Sequence, residues 1–194
     1  MPALPPYIAE LRLKGAFRGY SIPIETCLLS STQDVICIAD SEEHHYTVFV
    51  DENSVENLTG RALSIYNLEH QPICILQIDN KLISPRSRQK RCDCAILDAS
   101  KMRFVEFKTN AQGNSVKAVH DTYEQAIEQL GATLHLFIEQ EQQVGIALKE
   151  ARDLSAHICT AIRFPRLPST QVGYAIQFAM QEGIPLTFGH KMNI

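Results

Sequence analysis

An α/β fold is expected for this chain: a mixed central β-sheet flanked by helices, with an N-terminal α+β extension. Three observations lead there. Apolar runs of strand length follow one another closely at 73–79 (ICILQID), 92–98 (CDCAILD) and 103–109 (RFVEFKT). A single apolar stripe with helical spacing comes next, through Val119, Tyr123, Ala126, Ile127, Leu130, Leu134 and Phe137. A further buried-strand pattern, HICTAIRF at 157–164, returns the chain to the sheet after that helix.

Taken in order, residues 7–14 read as a short amphipathic helix, and 34–39 (DVICIA) and 45–50 (HYTVFV) as strands rich in β-branched and aromatic residues. The segment 54–70 (SVENLTGRALSIYNLEH) has a helical pattern, weakened by Gly60. DASKM, between the second and third core strands, is short enough for a hairpin. After the loop NAQGN the helix runs from about Ser115, with a break, to about Leu154. PRLP is a turn, STQVGYAIQFAMQEG a helix closed by Gly183, and IPLTF a last strand. One domain over 1–194 is expected, with 1–53 as the extension, 54–164 as the core and 165–194 as a C-terminal helix and strand.

Composition narrows the function. At 45% hydrophobic and 21% charged residues the chain has the balance of a soluble globular protein. No run approaches the roughly 18 apolar residues of a membrane helix, and MPALPPYIAELRLKG lacks the pattern of a secretory signal. No membrane partner and a cytoplasmic location are therefore expected. The six cysteines form no CxxC pair or Cys/His cluster, and read as buried thiols. None of the seven histidines has metal-ligand spacing, and they read as structural. The net charge of −4 hides a division. Residues 81–117 carry nine Lys or Arg against three acids, a balance of +6, and the remainder is at −10. A basic tract on an acidic body suits a phosphate backbone, and SPRSRQKR supplies Arg86, Arg88, Lys90 and Arg91 as nucleic-acid-binding candidates. A solvated basic loop is the competing reading.

The unusual residues lie within the strands. In RFVEFKT, alternation puts Glu106 and Lys108 on the face of Phe104, with Val105 and Phe107 on the other. Asp93 stands as a lone charge in CDCAIL. Charges enter such surroundings with a partner or a metal. Paired strands about 4.8 Å apart bring Asp93 and Glu106 together if both face the same way. Lys108 would project beside them. A cross-strand surface pair is the plain alternative for Glu106 and Lys108.

Asp93, twelve residues, then Glu106-x-Lys108, in the order helix, three strands, long helix, strand, resembles the PD-(D/E)xK nuclease superfamily. Cys92 stands where the motif has Pro. The likeness covers about 54–164, and Gln129 in AIEQLGATLHLF is similar to the helical Gln of RecB-like members, although it lies at the flank of the apolar stripe. Gln125, a turn earlier, is the poorer candidate. The resemblance implies a restriction-endonuclease-like core and a Mg²⁺-dependent (or Mn²⁺-dependent) nuclease acting on DNA. Asp93 and Glu106 would be metal ligands, with the Phe107 carbonyl as a third. Lys108 and Gln129 would complete the catalytic set. A further acid from the first core helix often joins such sites, and Glu56 and Glu69 are both open. A domain this small suits a homodimer for cutting both strands. The rival readings are a nuclease-like domain that no longer cuts and binds nucleic acid or a protein, and an unrelated α+β protein with an accidental Glu-x-Lys.

Overall fold

The structure is a computed structural model and describes residues 5–20, 22–111, 113, 115–165 and 167–194. The expected loop NAQGN and turn PRLP include Gln112, Asn114 and Arg166, which lie outside the described residues. Two short helices, α1 (Pro6–Glu10) and α2 (Leu13–Ala16), replace the expected single helix. The break falls at Arg12, in the left-handed region at φ 50°. The chain continues through β1 (Leu28–Ser31), β2 (Val35–Asp40), β3 (Thr47–Val50), α3 (Val55–Leu58), β4 (Leu63–Tyr66) and β5 (Ile73–Gln77). A hairpin of β6 (Cys94–Leu97) and β7 (Lys101–Lys108) precedes α4 (Val116–Gln143) and α5 (Leu148–Ala151). Last come β8 (Asp153–Thr160), α6 (Pro168–Glu182), β9 (Leu186–Phe188) and β10 (Lys191–Asn193).

The strands form two mixed sheets flanked by helices. The larger has the order β1-β5-β6-β7-β8-β9, the smaller β10-β4-β2-β3. β7 and β8 run parallel, so the chain between them must cross over, and α4 is that crossover. The alternation read from the sequence separates two cores. Phe104, Ala95 and Leu97 pack with Val119, Tyr123, Leu130 and Phe137 of α4. Val105, Phe107, Cys94 and Ile96 pack with Ile36, Ile38, Leu63 and Ile65 of the smaller sheet. The larger sheet is thus a middle layer between α4 and the smaller sheet, which explains why β5 and β6 are buried along their whole length.

The hairpin fixes the register of β6 against β7. Asp98 Oδ1 accepts the N–H groups of Ser100 at 2.8 Å and Lys101 at 2.7 Å, while Oδ2 takes Arg103 at 3.2 Å. Cys94 then pairs with Val105 and Ala95 with Phe104. At the start of α4, Ser115 Oγ accepts from the Ala118 N–H at 3.1 Å, and at the end of α6 Gly183 takes φ 71°.

The expected helix at 54–70 is corrected. Ser54 caps a single turn by accepting the Asn57 N–H at 3.2 Å, and Gly60, at φ 70°, stops it. The next residues form β4 between β2 and β10, because burying Leu63 and Ile65 in a sheet outweighs helix propensity. The expected strand at 157–164 lies at 153–160, ending before the turn that carries Ile162. Gly60 meets that turn: a Cβ there would lie 2.3 Å from Ile162 Cγ1 and 2.9 Å from its backbone nitrogen. Gly60→Ala is therefore expected to cost about 2 kcal/mol or more, from backbone strain and overpacking together, as read by denaturant unfolding.

Candidate active site

The site forms where β6 begins. The Asp93 N–H donates to the Val105 carbonyl at 3.1 Å, although Cys94 is the residue paired with Val105. Two residues against one is the count of a β-bulge, which re-aims the side chain it carries. Asp93 Oδ2 accepts the Phe107 N–H at 2.6 Å, taking the place of the β6 backbone partner that a regular ladder would supply. Within a strand the N–H and C=O of one residue leave on the same side, so the Phe107 carbonyl is directed past the start of β6 as well. Strand alternation alone gives Asp93 no such position, and this aim was not legible from the sequence.

Glu106 shares the α4-facing side of β7 with Phe104, as alternation requires, and is 2% exposed. Its Oε1 pairs with Lys108 Nζ at 2.8 Å, and its Oε2 is buried with no hydrogen-bond partner among the described residues. Lys108 also donates to Gln129 Oε1 at 2.7 Å. Gln129 in turn donates from Nε2 to the Arg91 carbonyl at 3.0 Å, linking α4 to the chain entering β6. One turn on, Thr133 Oγ1 donates to the Gln129 carbonyl and accepts the Cys92 N–H at 2.7 Å. Gln129 and Thr133 therefore hold the Arg91–Cys92 peptide just ahead of the bulge, and the flank position of Gln129 on α4 is what lets it reach across.

The electrostatics are those of acids short of counter-charge. Burial pushes the Asp93 carboxyl well above its usual range, and the charges of Glu106 and Asp40 push it further, against the Phe107 N–H. Glu106 is raised to about 7, burial outweighing the pull of Lys108. Asp79 and Asp40 raise Glu106 as well. Asp79, just past β5, pairs with Arg91, while Asp40 ends β2 and is itself raised, first by burial and then by Asp79. Sequence reasoning missed both. The signal was there: VICIAD and ICILQID each close an apolar run with Asp, as CDCAILD does.

The remaining candidates separate. Glu56, on α3, is exposed and faces the same cleft as Asp40 and Arg61. Glu69 is exposed and accepts from Gln71 Nε2 at 2.5 Å, so of the two it has no part at the site. Gln125 lines the clefts on both sides of Lys108 and Gln129 without bonding to either among the described residues. Arg91 is fixed by Asp79 and by the carbonyls of Ser87 and Gln89, both at 3.1 Å, and so shapes the basic loop from within. Lys90 pairs with Glu128 on α4. Arg86 and Arg88 are exposed and form no ion pair among the described residues. His157 is buried between Thr187 Oγ1 and the Gly189 carbonyl, with its pKa drawn down to about 4 by burial. It belongs to the packing of β8 on β9. All six cysteines are buried free thiols.

Among the described residues no three His, Cys, Asp or Glu side chains come together as a metal cage. Two carboxylates and a carbonyl would still suit a hard cation that keeps most of its waters. Compared with family models, with curated proteins and with solved structures, the chain matches none.

Proposed function

We propose that this chain is a Mg²⁺-dependent nuclease of the PD-(D/E)xK type, with a restriction-endonuclease-like core, hydrolysing phosphodiester bonds in DNA. The observation that carries the reading is the buried Glu106 Oε2 without a hydrogen-bond partner among the described residues, beside Asp93 and an ion-paired lysine. Leaving a carboxylate oxygen unsatisfied costs about 1–3 kcal/mol or more, and a bound cation removes that cost. Asp93, Glu106 and the Phe107 carbonyl would hold Mg²⁺ or Mn²⁺. When bound, the ion would lower the pKa of a water and stabilise charge on the phosphoryl oxygens.

The chain's own groups fit the rest of the task. An ammonium has three donors, and among the described residues Lys108 uses one on Glu106 and one on Gln129, which leaves one for a water or a phosphoryl oxygen. Gln129 fixes the direction of that third donor because its own amide is tied to Arg91. Lys108 thereby places the water in line with the phosphorus and stabilises negative charge as the P–O bond breaks. DNA would lie across this end of the sheet, with the loop of Arg86, Arg88 and Lys90 on its phosphates.

The reading is tested by incubating the chain with single- and double-stranded DNA in Mg²⁺, with a chelator control. Cleavage that ignores the chelator, or none at all, would overturn it, and binding without cleavage would favour the domain that no longer cuts. The basic loop has its own test. Arg86→Ser with Arg88→Ser is expected to make the slope of log affinity against log salt shallower by about 1.8 on duplex DNA, close to 0.9 for each lost phosphate contact. An unchanged slope returns the loop to a solvated surface. Arg91 is left out because its pairing with Asp79 would confound the result.

A further inference from the structure

The helix α6 has two apolar sides and only one of them is covered. Phe178 is buried and Tyr174 is half-buried against the body of the protein. On the opposite side Val172, Ile176 and Met180 are 58%, 57% and 82% exposed. Spaced four apart, they form one stripe along the helix. A surface helix ordinarily carries one apolar stripe, turned to the core, with polar residues opposite it. Between Pro168 and Glu182 the only charged residue is Glu182, in a chain that carries 40 charged residues in 194. Gly173 flanks the stripe, is a poorer helix former than Ala, and has nothing within 4 Å of where its Cβ would stand. Neither packing among the described residues nor a left-handed conformation accounts for it, and the open space beside it leaves room for another helix to approach.

We infer that the outer face of α6 is a two-fold interface with a second copy of this chain. The stripe matches itself. A two-fold axis through Ile176 sets Ile176 against its own counterpart, and pairs Val172 of each copy with Met180 of the other, a smaller side chain against a larger one. An uncharged face does not repel its own image, which a charged rim on an acidic protein would do, whereas a dissimilar partner is commonly selected by complementary charge. Gln177 and Gln181 on the exposed side donate and accept equally well across such an axis. A single crossing of two four-turn helices buries less than the roughly 1,200 Å² total of a stable standard interface, so the dimer is weak and dissociates on dilution. α6 lies against β9 at the sheet edge, away from the start of β6, so this assignment stands whether or not the chain is a nuclease.

Sedimentation over a concentration series tests it, using the wild type, Ile176→Glu, Ile176→Lys and an equimolar mixture of the two variants. The wild type is expected to pass reversibly from monomer to dimer between about 1 and 500 µM, and each variant alone to weaken dimerisation at least about a hundredfold, since like charges meet on the axis. The mixture is expected to recover the dimer, because opposite charges then meet there, and this recovery also shows that the variants are folded. A wild type monomeric throughout, or variants that dimerise as it does, overturns the interface. So does growth beyond the dimer, which marks a head-to-tail contact, and so does capture of a monomeric wild type by phosphatidylcholine vesicles, which marks a lipid-facing helix. Failure of the mixture to recover the dimer overturns the axis at Ile176.

Discussion

Lys108→Ala is expected to leave a folded protein whose Mg²⁺-dependent cleavage of DNA has fallen by about a hundredfold or more. Lys108 stands at the end of β7, half-buried, and the apolar contacts that hold β7 are made by Phe104, Val105 and Phe107. Truncation removes two hydrogen bonds of the ammonium and leaves the bond from Gln129 to Arg91 in place. The loss is thus local. It takes away the donor proposed to face the reacting water and the only cation that Glu106 pairs with among the described residues. A melting curve checks the fold, and single-turnover cleavage at saturating DNA separates the chemical step from binding. Undiminished cleavage by a folded variant would remove Lys108 from the mechanism.

Asp93→Asn is expected to melt at or above the wild type in a chelator, yet to lose most of the stabilisation that Mg²⁺ gives. With the free ion at about ten times its dissociation constant, binding contributes RT ln 11, about 1.4 kcal/mol, or roughly 3 to 5 °C in a domain of this size. The amide oxygen of Asn can still accept the Phe107 N–H, so the shape of the bulge survives while a buried charge is removed. The pH dependence sharpens the test. Glu106 and Asp93 hold protons in the folded chain where the unfolded chain has released them, so stability in chelator falls as pH rises. For Glu106 that fall runs from its ordinary value of 4.5 to about 7, and Asp93, raised by burial and by the charge of Glu106, adds to it in the same direction. His157 has the opposite sign: held neutral down to about 4, it loses stability for the chain as pH falls below 6.5. Melting temperatures measured upward from pH 6.5 therefore report the acids with His157 silent. Glu141, buried and raised to about 7, adds to the same fall in both proteins, so the difference between them isolates Asp93. Equal Mg²⁺ shifts and equal slopes in the two proteins would exclude the two-carboxylate site.

Much of this architecture was legible because it rests on periodicity. β5, β6, β7 and the start of α4 were read with boundaries close to those found, since each is buried on faces that force apolar residues into a fixed repeat, whereas the helix expected to reach about Leu154 ends at Gln143, with one further turn before β8. The same logic put Glu106 and Lys108 on the side that α4 covers. Where two packings suited one pattern, sequence failed. In ALSIY, Leu63 and Ile65 alternate as a strand requires while Ala62, Ile65 and Tyr66 fall at helical spacing, and only the presence of β2 and β10 on either side decides. The strand β10 was invisible because KMN has too few residues for any pattern, and its pairing partner β4 is remote in the chain. Asp40 and Asp79 were hidden for a different reason. A terminal Asp after an apolar run reads as a turn residue, and only the convergence of β2 and β5 on the start of β6 brings their charge to bear on Glu106 and Asp93.

The bulge at Asp93 makes the centre depend on a count of residues as well as on their kinds. The hairpin at Asp98 sets β6 against β7 from one end, and the bonds of Thr133 and Gln129 to Cys92 and Arg91 set the incoming chain from the other. The residue left over between those two fixed points is the one that is turned toward Phe107. Substitutions of similar volume at Cys92 or Cys94 preserve that surplus, whereas losing one residue between Arg91 and Asp98 abolishes it, and the acid is drawn into the ordinary alternation of the strand. Drift in the composition of this segment is compatible with its chemistry, and drift in its length is not.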